Sequence, residues 1–387
     1  MNGPPLPAGL VAVFAAVAVV ATCLARFLPV AVDRLAGPPL ASPLLRRLFG
    51  GVFVAGAITL AWWELVARGQ LPFVAGGVAE PAASPALLSR YAAHLVFFSL
   101  LTVATWVDFR QRIIPDAITV PGVLLGLVWA AVHPDALLPV AMEVPRSFAA
   151  PRLEPDVLGA WGGVRAVGVP AVLGSRPAFG GLLAALALFF AWWAAGTAPA
   201  CDADGRPLPV PRGWRRLCEP RLGAAVIGSL AIVATWVEGS THWAGIWAAL
   251  VGILVSGAIV WLTRIGASRA LGQEALGFGD VTLMAMAGSW LGWQACLLAC
   301  CLAVFIGLGH GLLQYLRQRE NELPFGPSLC LALGIVVVTW RPLWERAAPF
   351  FERPGELAVV ITAVIVLTAI SLAIWRRVRG AHGGERA

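Results

Sequence analysis

The sequence contains no lysine, and charged residues of all kinds fill only 13% of its 387 positions. Soluble globular domains carry roughly 25% charged residues. An ordinary soluble enzyme is therefore excluded, and a chain that spends most of its length out of water is implied. All 28 basic residues are arginine, which we read as a mark of GC-rich coding rather than of function. No C-x-x-C pair occurs among the seven cysteines (Cys23, Cys201, Cys218, Cys296, Cys300, Cys301 and Cys330). That excludes a zinc knuckle or ribbon. Most of these cysteines lie in apolar runs and read as small core hydrophobes. The first helix-length run lacks a basic segment before it and reads as a retained membrane helix rather than a cleaved signal. No internal repeat is visible.

What is present is apolar: 59% of residues are hydrophobic. A helix needs about 20 apolar residues to cross a bilayer. Spans are expected near 8–25, 49–67, 91–108, 117–133, 179–196, 223–237, 242–263, 280–292, 294–316, 325–341 and 356–375. The expected fold is an all-α, polytopic membrane bundle of about eleven transmembrane helices. The net charge of +7 is then a topology signal, not a nucleic-acid footprint. Arginines gather in 26–47, at Arg110 and Arg112, in 206–221, at Arg264 and Arg269, at Arg317 and Arg319, and after Arg376. The alternate loops, 136–178 and 342–355, hold few for their length. Positive-inside bias puts the first set in the cytoplasm and the N-terminus outside. The Pro/Gly/Ala-rich 134–178 reads as an extracytoplasmic loop, and 197–222 as a cytoplasmic connector.

Two acids stand out against this background, because carboxylates at membrane spans are costly and mark function by default. Asp280 opens a short apolar helix after the run-up Gly277-Phe278-Gly279. Asp108 closes the span that begins near Arg90. Four crossings separate them on this reading, an even number, so both should meet the cytoplasmic membrane edge. Two carboxylates on one face fit an aspartyl-protease dyad, in which close like charges share one proton. One acid takes a proton from an attacking water while the other donates to the developing oxyanion. Asp280, at a helix N-terminus, is the better anion, and Asp108, at a C-terminus, the better proton donor. Gly277 and Gly279 are expected to permit special backbone conformations and a close approach of a substrate strand. Either acid alone could be a helix cap or a solvated helix end.

Three stretches carry a resemblance to a family. "VDFRQRIIPDAITVPG" (107–122), "EALGFGDVTLMAMAGSWLGWQ" (274–294) and "LPFGPSLCLALG" (323–334) are similar, in order and content, to the catalytic segments of the type IV prepilin peptidases, aspartic proteases of the GxGD kind. The resemblance implies that Asp108 and Asp280 are the catalytic acids. It also implies that the substrates are prepilin or pseudopilin precursors with basic leaders, and that no cofactor or metal is used. The enzyme would sit in the bacterial cytoplasmic membrane, in contact with lipid, with its site on the cytoplasmic face. Asp116 falls in the loop motif I-P-D and is expected to start a helix rather than to act in the chemistry. The similarity covers roughly 90–133 and 242–341. The family spaces its acids more closely, so 134–241 reads as an insertion with two extra spans. The regions 1–89 and 342–387 read as an N-terminal membrane region and a C-terminal helix with a basic tail. Family members often have Lys where this chain has Thr282. The cysteine pairs that the family associates with N-methylation are absent, so that activity is not expected here.

Glu274 and Glu322 flank the acids and are candidates for attracting a basic leader, with simple solvation as the alternative. His94 and His310 read as core or interhelical hydrogen-bonding groups, and Glu64, beside Trp62 and Trp63, as an interface residue. Two other readings stay open: a proton-coupled transporter relaying through the two acids, and a catalytically silent assembly protein. Neither repeated halves nor midplane helix breaks, which a transporter more often has, are visible.

Overall fold

The computed structural model describes residues 8–37, 43–70, 84–138, 140–141, 153–154, 179–197, 218–271, 276–318 and 325–351, with positions 355, 359, 362 and 366. Among these residues there are eleven α-helices: α1 (Ala8–Ala36), α2 (Pro43–Ala61), α3 (Pro85–Gln111), α4 (Asp116–Val132), α5 (Phe179–Thr197), α6 (Cys218–Glu238), α7 (Ser240–Leu271), α8 (Phe278–Leu291), α9 (Trp293–Gln318), α10 (Gly326–Val338) and α11 (Trp340–Phe351). A two-residue antiparallel pair, Val140–Ala141 with Leu153–Glu154, is the only strand pairing described. The chain is a helical, multi-pass membrane protein. Five helices are long and apolar enough to cross a membrane, and a sixth is counted if α10 and α11 form one span. Three shorter apolar stretches, Asp116–Val132, Leu222–Glu238 and Trp293–Gly309, accompany them.

The short helix α8 is the centre of the bundle. Every residue from Asp280 to Leu291 is buried, as expected of a helix that is apolar on all sides. Helices α4 and α7 pack closely on it. Gly252 of α7 and Gly288 of α8 touch backbone to backbone: a Cβ on either would run into the other's carbonyl oxygen. Small residues at such crossings let helices approach closely where lipid supplies no hydrophobic drive. The Trp290 indole donates to the Gly122 carbonyl of α4 at 2.9 Å, tying α8 to the helix that follows Asp108.

Local signals set the ends of α3. Ser84 caps its start, accepting from the Leu87 N–H at 3.3 Å, with Pro85 at the first helical position. At the far end Arg112 takes the left-handed conformation, φ 55°, and its N–H closes on the Asp108 carbonyl at 2.8 Å. Pro115 then blocks continuation and precedes α4.

Two stretches differ from the sequence expectation. Glu64 is buried in the protein rather than facing outward beside Trp62. It sits in a π-helical turn, Trp62–Val66, that prolongs α2, and only 2% of it is exposed. Its carboxylate Oε1 lies 2.9 Å from His94 Nδ1 and accepts from the Gln70 amide at 2.9 Å. That amide also donates to the Val337 carbonyl, and the Trp63 indole donates to that of Val338. The last carbonyls of α10 thus find donors from another element. Beyond them the chain turns by 94° into α11, so residues up to Phe351 are helical rather than the loop expected from 342. Most of 134–178, the connector from 198 to 217 and most of the span expected at 356–375 lie outside the described residues.

Candidate active site

The two acids come from elements separated by four helices, α4 to α7, yet they meet. Asp108, in the last turn of α3, is 5% exposed, and Asp280, in the first turn of α8, is 7% exposed. Their carboxylates interact electrostatically with each other. The contact is organised by Ile114, in the short extended segment after α3. A Cβ at Gly279 would stand 3.0 Å from both the Cβ and the carbonyl oxygen of Ile114. A Cβ at Gly326 would strike the Asp108 carboxylate itself and would lie 3.0 Å from Ile114 Cδ1. The three motif stretches of the sequence therefore converge on one point, with Ile114 as the common neighbour.

Glycine serves here by leaving room, not by adopting unusual backbone angles. Gly277 has φ −68° and ψ 150°, open to any residue, and neither it nor Gly279 has positive φ. The expectation of special conformations is corrected accordingly. The close approach at Gly279 is made by Ile114 of this chain.

Each carboxylate receives a backbone N–H. That of Gly277 reaches Asp280, and that of Gly326, at the N-terminus of α10, reaches Asp108. The dipole argument from sequence placed Asp108 only at the C-terminal end of its own helix. The structure adds the positive end of a second helix, so the two acids are more alike in surroundings than their own helices imply. The Cys330 thiol of α10 lies within electrostatic reach of both acids and hydrogen-bonds with Thr105. Both acids are buried, and each bears on a site into which helix termini and backbone N–H groups point.

Thr282, at the position where the resemblance leads one to look for Lys, turns back on its own helix and donates to the Gly279 carbonyl at 3.0 Å. Asp116 is exposed in the first turn of α4, where a carboxylate complements the helix dipole. Glu274, Glu322 and the side chain of His310 lie outside the described residues.

The sequence reading missed Gly326, Ile114 and Cys330 as members of the site. The signal was present for the first, since Gly326 stands in the quoted P-F-G-P. It missed also the clasp behind Asp108, where Asp33 of α1 pairs with Arg46 of α2 and, at 3.5 Å, with Arg110 of α3.

Residues 216–312 match the model of the type IV leader peptidase family. That stretch belongs to the type IV leader peptidase family. The family segment contains the whole of α6, α7 and α8 and most of α9, and it includes Asp280 but not Asp108. Three proteins named prepilin leader peptidase/N-methyltransferase are similar to this chain. That of Stutzerimonas stutzeri is 35% identical over 98 residues, 24% of this chain and 32% of the relative. That of Aeromonas hydrophila is 35% identical over 96 residues, 24% and 31%. That of Burkholderia pseudomallei strain 1026b is 32% identical over 163 residues, 40% and 47%. The chain thus spans from 31% to 47% of the length of these leader peptidases. No solved structure gives a significant match.

Proposed function

We propose that this chain is a membrane aspartic endopeptidase that removes the basic leader from prepilin-like or pseudopilin precursors. Asp108 and Asp280 are its catalytic pair, and its site lies at the cytoplasmic face of the bacterial inner membrane. The observation that carries this reading is that Asp108 and Asp280 are both buried and in mutual electrostatic reach, the second of them inside the family segment. The names of the similar proteins supply the substrate class, and the alternation of arginine-rich loops supplies the face.

In the proposed reaction one carboxylate is ionised and the other protonated. The ionised acid takes a proton from water as its oxygen bonds to the scissile carbonyl carbon. The protonated acid donates to the carbonyl oxygen, giving a neutral gem-diol. The first acid then gives its proton to the amide nitrogen while the second takes one from a gem-diol hydroxyl; the C–N bond breaks, the leader carboxyl and a new amino terminus leave, and both acids are back in their starting states. Burial of the pair keeps the shared proton between the acids rather than in bulk water. Helix termini on both carboxylates hold them in place before substrate arrives.

The reading is tested by co-expressing the chain with a precursor that has a basic leader ahead of an apolar helix. Shortening of the precursor at the leader boundary is expected, read by mass spectrometry. An intact precursor beside well-inserted enzyme would contradict it.

A further inference from the structure

We propose that Arg264 is a positioning residue for Asp280, acting through the peptide unit that joins Leu276 to Gly277. The inference rests on the dyad reading and deepens it.

Arg264 lies near the end of α7, and its Nε donates to the Leu276 carbonyl at 2.9 Å. The guanidinium carbon lies 5.9 Å from the centre of the Phe278 ring, within cation–π range. Arg264 therefore grips the chain on both sides of Gly277. The N–H of Gly277 belongs to the same peptide unit as the Leu276 carbonyl, and it is this N–H that reaches the Asp280 carboxylate. No peptide bond among the described residues is cis, and in a trans peptide the C=O and N–H point to opposite sides. A donor fixed on the oxygen thus aims the N–H at the acid. Hydrogen bonding to a carbonyl also polarises the N–H of the same unit, so the two bonds reinforce each other. Gly277 precedes α8 in extended backbone, so its N–H has no partner within that helix and can serve the acid.

Among the described residues, the groups that bear on Asp280 include Asp108 from α3, the Cys330 thiol from α10 and the Gly277 N–H. The Arg264 charge reaches the acid through the peptide. A donor to a carboxylate favours its ionised form, so releasing the Leu276–Gly277 peptide should make Asp280 hold its proton to higher pH.

The test uses full-length protein purified in detergent, with R264Q, R264K and, as a control on the same helix, R269Q. Dicyclohexylcarbodiimide is the probe, an apolar reagent that couples to protonated carboxyls, and coupling at Asp280 is followed against pH by mass spectrometry. The coupling midpoint of R264Q is expected about 0.5 pH unit or more above that of the wild type, a shift that corresponds to a fraction of a charge-assisted hydrogen bond. R269Q should match the wild type. R264K keeps the charge but not the Nε donor; it should fall between them, and it serves should R264Q not fold. The acid limb of the pH–rate profile for precursor cleavage should move the same way in R264Q, with kcat affected more than KM. Coincident midpoints for R264Q, R264K and wild type would overturn the proposal. Cleavage retained in D280N would instead overturn the dyad, while the labelling shift could still stand.

Discussion

Gly326 lacks a side chain where the Asp108 carboxylate needs the space, and this one contact states how the site is assembled. A methyl group there must push the acid away from its partner. Displacing a reacting group by about 1 Å costs on the order of 100-fold in rate. Gly326→Ala should therefore lower kcat/KM for precursor cleavage about 100-fold, mainly in kcat, with the helical circular dichroism signal unchanged. Asp116→Asn, exposed and not one of the two proposed catalytic acids, should stay within about threefold of wild type, the loss of its charge at the start of α4 being worth roughly 0.3–1 kcal/mol. Equal losses in the two variants would mean that the loop, not the carboxylate contact, limits the reaction. At this scale the acids were legible because each stands at the edge of an apolar span. Gly326 and Ile114 were not, because their reasons lie in side chains far away along the chain. His94 is the buried interhelical hydrogen-bonding group expected of it, while the pairing of Glu64 with it, 30 residues away, was not legible.

At the scale of elements, the helices follow the apolar runs closely, because in a membrane every backbone group must be satisfied within its own segment. The short run at 280–292 forms α8, which its neighbours enclose. What hydropathy could not foretell was α11, whose sequence "WRPLWERAAPFF" is too polar for a span yet helical, turned by 94° from α10. Its apolar side buries Trp340, Trp344 and Phe351, a contact that no running average detects. The sharpest element-scale prediction concerns the crossing of α7 and α8. Gly288→Val must force apart the backbones that touch at Gly252. Overpacking of this kind costs about 1–3 kcal/mol or more. The variant should show a lowered Tm in detergent and a loss of activity larger than Gly309→Val, where a Cβ meets nothing within 4 Å. Equal melting of the two would show that the crossing is not close in the folded protein.

For the whole molecule, four helices stand between the acids among the described residues, and the long stretch from 134 to 241 is present without moving the acids out of mutual reach. Helices α5 and α6 pack outside α4 and α7, leaving α8 enclosed. Sidedness is the feature read from arginines alone. Single-cysteine variants in a cysteine-free background should react with an impermeant maleimide only from the cytoplasmic side at Arg112 and Leu276, and only from the opposite side at positions within 142–150. Labelling of Arg112→Cys and Leu276→Cys from opposite sides would separate the acids across the membrane. The measurement that bears most directly on the dyad is the kcat/KM of purified wild type, D108N, D280N and the double variant on one precursor. Asn keeps the volume of each acid but cannot exchange its proton. Residues that act as a unit lose nearly everything with the first substitution. Each single variant should therefore lose at least about 1,000-fold, and the double variant should be scarcely worse than either. Robust cleavage by either single variant, or losses that multiply in the double, would contradict a catalytic pair made of Asp108 and Asp280.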